Sequence, residues 1–189
     1  MINFKQFYED IVNTVTIAVL PGSFKPPTKG HFAALENLLQ SADKGVVFIG
    51  SSSRDGIDQE MSYQIWNIYV PYFSKPVRIE KCISSPVTDT YKLVEENKDI
   101  NFIVGVGPED DEEEGKKPKK PERRYDSFKK NPEKYPNVTV IDIPLSGGGI
   151  RGTPVRDMIL SKDPKVGNYF GSGDLSETDR ERIKNILNI

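Results

Sequence analysis

A chain of 189 residues, 36% hydrophobic and 29% charged, is long enough to bury one sizeable core, and a single domain over 1–189 is the expected organisation. Its net charge of −2 gives no global field that would draw nucleic acid, and no apolar run approaches the ~20 residues of a membrane span. Neither nucleic acid nor a membrane is therefore an expected partner.

Residues 3–12 set Phe4, Phe7, Tyr8 and Ile11 on one helical face, which predicts a short helix packed on a sheet. The opening stretch MINFKQFYEDIVN also lacks the apolar core and small-residue cleavage site of a signal peptide, so the cytoplasm is the expected location. Thr14 to Leu20 reads as a buried strand. From Val19 to His31 the sequence is VLPGSFKPPTKGH. Pro21, Gly22, Pro26, Pro27 and Gly30 predict an irregular loop there, whose polar residues are Ser23, Lys25, Thr28, Lys29 and His31. Phe32, Leu35, Leu38 and Leu39 then follow at helical spacing.

Lys44 to Gly50 is a second strand, and Ser51 to Gly56 the loop after it. Met61, Ile65, Ile68 and Tyr69 mark a helix over Glu60 to Tyr69 that Pro71 stops. Val77 to Ile83 reads as a less fully buried strand. It contains Cys82, the single cysteine, which excludes an internal disulfide and is expected to be structural. Thr88 to Asn97 is a short helix, and Ile100 to Val106 and Val138 to Ile143 are the fourth and fifth strands. Residues 109–124, EDDEEEGKKPKKPERR, set six acidic residues ahead of six basic ones. Such a run cannot bury enough apolar surface to offset the entropy of ordering it. A mobile charged insertion at about 108–124 is expected, either a solvated surface loop or a lid carrying Arg123 or Arg124. The chain ends in a predicted helix at about 175–188, with a capping box at Ser176 to Asp179 and Ile183, Ile186 and Leu187 on the face that docks on the sheet.

Strands alternating with helices predict an α/β fold with a parallel sheet covered on both sides. In such sheets ligands lie beyond the carboxyl ends of the strands at a topological switch point. The loop Val19 to His31 leaves the first strand and enters a helix, where free backbone N–H groups and positive charge suit phosphate. Gly30 lets the backbone come close to a ligand, and Thr28 and His31 can both donate to phosphate oxygens. Trp66 and Tyr69 are read as core residues, with stacking on a ligand ring as the alternative.

The run Gly22-Ser23-Phe24-Lys25-Pro26-Pro27-Thr28-Lys29-Gly30-His31 resembles the G-x-F-x-P-x-T-x-G-H signature of the nucleotidylyltransferase superfamily, and all six fixed positions are present. Members of that superfamily include the pantetheine-phosphate and nicotinamide-mononucleotide adenylyltransferases. Ile150-Arg151-Gly152-Thr153-Pro154-Val155-Arg156 resembles its second motif, I-S-S/G-T-x-x-R, with Arg151 where serine is usual. The resemblance implies a Rossmann-like, doubly wound five-stranded parallel sheet in the order 3-2-1-4-5. In that order Gly105 to Pro108 come close to His31.

The implied reaction transfers a nucleotidyl group to a phosphorylated small molecule such as nicotinamide mononucleotide, with release of pyrophosphate. The nucleophile is already an anion, so the protein must supply donors and cations rather than a nucleophilic side chain. By resemblance His31 binds the bridge between the α- and β-phosphates, Thr28 supports the triphosphate, and Thr153 and Arg156 contact the β- and γ-phosphates. Lys25 or Lys29 would meet the acceptor phosphate. Gly22, Ser23, Phe24, Gly30, Gly105, Gly107, Ile150, Arg151 and Gly152 complete the nucleotide-binding set. Arg151 either adds a cation for phosphate or points to solvent. Thr153 also suits an N-cap, with Pro154 at the first helical position.

Members that use CTP carry histidine at the place of Thr28, so the resemblance favours ATP, with a cytidylyltransferase as the alternative. A nucleotide-binding regulatory module without turnover is the other alternative. Mg2+ is the expected cofactor, held by phosphates and water rather than by protein ligands. Self-association is left open.

Overall fold

The computed structural model describes residues 15–107, 125–143, 152–171 and 173–189. Five strands, β1 (Thr16–Gly22), β2 (Lys44–Ile49), β3 (Val77–Lys81), β4 (Asn101–Val106) and β5 (Val138–Asp142), form one sheet in the order β3-β2-β1-β4-β5. Every pairing is parallel. All strands therefore end at one edge of the sheet, and the change of winding direction between β1 and β4 makes that edge the switch point, where such sheets take their ligands. This is the sheet order expected from the sequence.

Six α-helices among the described residues accompany the sheet: α1 (Lys29–Leu39), α2 (Gln59–Tyr69), α3 (Pro86–Glu96), α4 (Asp126–Lys130), α5 (Gly152–Leu160) and α6 (Glu177–Leu187). Alternation along β1 sends Ala18 and Leu20 to one face and Ile17 and Val19 to the other. The first face is covered by Leu35, Leu38 and Leu39 of α1, with Ile65 and Trp66 of α2 and Ile183 and Leu187 of α6 in the same cluster. Leu93 and Val94 of α3 and Phe128 of α4 cover the second. Burial on both faces is why β1 and β2 read as continuous apolar runs, while the edge strands β3 and β5 keep exposed positions. Trp66 and Tyr69 are wholly enclosed, which makes them core residues. No helix among the described residues is long and apolar enough to cross a membrane.

Four expectations change. β1 runs on through Pro21 and Gly22, which stay paired with Phe48 and Ile49 of β2. The β4 ladder already ends at Val19, so the N–H that Pro21 lacks is not needed on that side. Gly30, read as part of the loop, lies in the first turn of α1. Cys82 falls just past β3 rather than inside it, buried, with its N–H donating to the Ile49 carbonyl at 2.9 Å; burial pushes its thiol pKa up. Helix α6 docks on α2, not on the sheet. The Tyr72 hydroxyl helps to fix it there, donating to Asp179 at 2.7 Å and accepting the Ser176 N–H at 3.2 Å.

Helix α4 was not legible in the sequence. Its five residues are too few for a helical period to show. It is held by an aromatic cluster in which Tyr91 and Phe128 lie 4.2 Å apart between ring centroids, with Tyr125 and Tyr135 beside them. The predicted helix at 3–12 and the insertion at 108–124 lie outside the described residues.

Candidate active site

The signature loop turns sharply at Phe24, whose φ of 54° lies in the left-handed region. That conformation costs an L-residue about 1–2 kcal/mol. Tertiary contacts hold it in place: the Ser62 hydroxyl donates to the Phe24 carbonyl at 2.7 Å, and the Phe24 ring meets Trp66 edge to face at 5.3 Å. The same ring lies over Gly22, where a Cβ would come within 2.7 Å of it. Gly22 is thus a glycine because Phe24 needs the room. The Ser23 hydroxyl is enclosed in this turn with no hydrogen-bond partner among the described residues.

Lys25 is only 3% exposed. Its ammonium donates to the carbonyls of Ser23 at 2.9 Å and Gly50 at 3.1 Å, which ties the loop after β1 to the end of β2. Burial lowers its pKa to about 8, opposed by the charge of Asp58. Lys29 is placed differently, its ammonium 5.2 Å from the centroid of the Tyr169 ring.

Thr28 is the N-cap of α1 and His31 its third residue. The Thr28 N–H donates to Nδ1 of His31 at 2.9 Å, and the Thr28 hydroxyl lies 3.1 Å from the same nitrogen. His31 thus takes the place that Glu or Gln holds in an ordinary capping box. An Nδ1 that accepts leaves the ring proton of a neutral imidazole on Nε2. Burial pushes the pKa of His31 down to about 4, so the ring is neutral at pH 7. Phe24 stands edge to face against it at 5.0 Å. Ahead of the first helical bond, from Phe32 N–H to the Thr28 carbonyl at 3.1 Å, the N–H groups of Lys29 and Gly30 point out of the helix start.

The second motif reaches this loop directly. Arg156, buried, donates from Nη1 to the Lys25 carbonyl at 3.0 Å, from Nη2 to the Thr153 hydroxyl at 2.9 Å and from Nε to Asp55 at 2.7 Å. Thr153 is the second residue of α5 rather than its N-cap, with its hydroxyl turned toward Arg156. Gly105 sits under α1, where a Cβ would meet Leu38 at 2.5 Å and Ile143 at 2.4 Å. Gly107 is exposed past the end of β4, with open space around it. Ile150, Arg151 and Pro108 lie outside the described residues, and Gly152 is described only as the start of α5.

No protein-family model and no curated protein matches the chain by sequence. Solved structures do match in fold. A Vibrio parahaemolyticus protein named as a nicotinate-nucleotide adenylyltransferase is 16% identical, with a TM-score of 0.61 over 92% of this chain and 94% of its own. The nicotinic acid mononucleotide adenylyltransferase of Plasmodium falciparum, complexed with APC, is 14% identical, with a TM-score of 0.58 over 93% of this chain and 96% of its own. The chain shares the fold of these adenylyltransferases. A bifunctional NMN adenylyltransferase/ADP-ribose pyrophosphatase of Francisella tularensis, complexed with AMP and manganese ion, shares it at 15% identity and a TM-score of 0.56, over 92% of this chain and 51% of its own.

Within this fold the structure gathers Gly22, Phe24, Lys25, Thr28 and His31 with Thr153 and Arg156 at one edge of the sheet. It adds two residues, one in the loop after β2 and one in α2, that the sequence patterns do not single out. Asp55 is one, paired with Arg156; Ser62, bonded to the Phe24 carbonyl, is the other. Asp55 left a partial signal, since Asp55-Gly56 is a turn dipeptide in the loop after β2. Nothing in the sequence signals Ser62.

Proposed function

We propose that the protein is a nucleotidylyltransferase that moves the adenylyl group of ATP to nicotinate or nicotinamide mononucleotide and releases pyrophosphate. The observation that carries this reading is the joining of the two motifs, Arg156 Nη1 to the Lys25 carbonyl at 3.0 Å. It brings the signature loop and the second motif into contact, which supports their acting on one ligand. The fold's likeness to the adenylyltransferases supports the acceptor class, and Thr28 in place of histidine supports ATP over CTP.

In the reaction an oxygen of the acceptor phosphate forms a bond to the α-phosphorus while the bond from that phosphorus to the α–β bridging oxygen breaks. The electron pair leaves with pyrophosphate. His31, neutral and protonated on Nε2, donates a hydrogen bond to the bridging oxygen as charge builds on it. The N–H groups of Lys29 and Gly30 and the remaining Nη donors of Arg156 bind phosphate oxygens and hold the triphosphate in line. Lys25 contributes its positive charge from beneath the loop. Among the described residues no group of three or more His, Cys, Asp or Glu side chains converges. A magnesium ion would take its ligands from phosphates and water and offset the triphosphate's charge.

The test is pyrophosphate release from ATP or CTP with a panel of phosphorylated acceptors headed by the two mononucleotides. Turnover with ATP and either mononucleotide is the expected result. Tight triphosphate binding without turnover on any acceptor would favour a binding module, and no binding at all would sink both readings.

A further inference from the structure

We propose that Asp55 is a positioning residue for the triphosphate: it holds the Arg156 guanidinium in the plane that phosphate oxygens meet. The inference rests on the adenylyltransferase reading of the site. Arg54 and Ile57 exchange both backbone hydrogen bonds, at 3.0 and 2.9 Å, closing a two-residue turn. The two residues inside it, Asp55 with φ 50° and Gly56 with φ 79°, are both left-handed, as a type I′ turn requires. The Asp-Gly pair is therefore chosen for that turn, and the turn carries the Asp55 carboxylate to a fixed place beyond β2.

At that place the carboxylate meets the guanidinium of Arg156, a side chain that is only 10% exposed. Asp55 takes the Nε–H, the Lys25 carbonyl takes one Nη1 proton and the Thr153 hydroxyl faces one Nη2 proton. A guanidinium is a rigid planar fork of five N–H donors. Anchors on three of its edges fix both its tilt and its rotation, and one donor on each Nη has no partner among the described residues. Those two donors are what Arg156 can offer to phosphate. The three anchors come from the loop after β1, the turn after β2 and the first turn of α5. Only the Asp55 anchor is charged, and charge-assisted bonds are the stronger ones. The side chain of Asp55 is 48% exposed, so the pair is reached from solvent. Asp55 acts through Arg156 and contributes no contact of its own.

Calorimetry of ATP binding to the full chain, without acceptor, tests this. Asp55→Ala should weaken ATP about 10-fold, the scale of a lost hydrogen bond to a charged group. Asp55→Asn, which keeps an acceptor oxygen in the same place without the charge, should recover most of that loss. In an Arg156→Ala background Asp55→Ala should change ATP affinity by less than about 2-fold, because the group it positions is gone.

A lower melting temperature with unchanged ATP affinity in folded Asp55→Ala would make the pair merely structural and overturn the proposal. An equal loss in both backgrounds, or an Asp55→Asn as weak as the alanine variant, would overturn it too. If Asp55→Ala does not fold, Asp55→Glu replaces it. Its longer side chain moves the acceptor while keeping the charge, so it should bind ATP more weakly than Asp55→Asn, and the reverse order overturns the proposal. Wild-type protein that binds no ATP would remove the adenylyltransferase reading itself, and this inference with it.

Discussion

His31 is the only histidine in the chain, and its ring should be neutral well below the usual histidine range. Its pKa falls from 6.5 to about 4 because burial disfavours the imidazolium. Between those values the unfolded chain binds a proton that the folded chain refuses, so stability is complete above pH 6.5 and is lost as pH falls toward 4. For those two values linkage gives a loss of about 2 kcal/mol between pH 7.5 and pH 5. The residue as a whole is only half-buried, which makes that figure a ceiling. In a chain of this size it corresponds to a fall of about 4–8 °C in Tm. Carboxylates also titrate in this window, so the measurement is a difference. His31→Gln keeps an acceptor for the Thr28 N–H but cannot titrate. The Tm of wild type should approach or drop below that of His31→Gln as pH falls, with the gap moving by that amount. Proton NMR of the single imidazole gives the same quantity directly. A midpoint near 6.5, or a Tm gap that stays flat from pH 7.5 to 5, would refute the buried neutral ring and the Nε2–H tautomer derived from it.

Three further outcomes are expected. His31→Ala should lower turnover about 10²- to 10³-fold, the scale of one lost oxyanion donor, with ATP affinity changed much less; normal turnover in a variant that merely melts early would sink the catalytic role. Gly105→Ala should destabilise the protein by about 1–3 kcal/mol, since its Cβ would press on Leu38 and Ile143; a Tm equal to wild type would show that α1 is packed less tightly there. Lys25 has a folded pKa of about 8 against 10.5, so the unfolded chain binds the extra proton between those values. Relative to Lys25→Met, wild type should therefore gain stability as pH rises from 8 to 10.5. A stability difference, wild type minus Lys25→Met, that falls or stays constant over that range would mean that the ammonium is not desolvated.

The sequence by itself determined the local structure around the site. Proline, glycine and apolar spacing located β1, α1 and the turn between them, because strand and helix periods are properties of neighbouring residues. The ten-residue signature fixed His31 three residues after Thr28, which is already the geometry of a capping box. Patterns failed where a segment was too short to show a period, as in α4, or where a proline's missing donor faced no partner, as at Pro21. The tertiary structure decided the rest. Arg156 meets the Lys25 carbonyl across 131 residues and Asp55 across 101. Lys25 turns its charge inward onto two carbonyls, and α6 finds α2 instead of the sheet. Each of these depends on which loops the order β3-β2-β1-β4-β5 brings to one edge. A spacing pattern along the chain reports which face a residue occupies, whereas the separation of two loops is set by the packing of the strands that carry them.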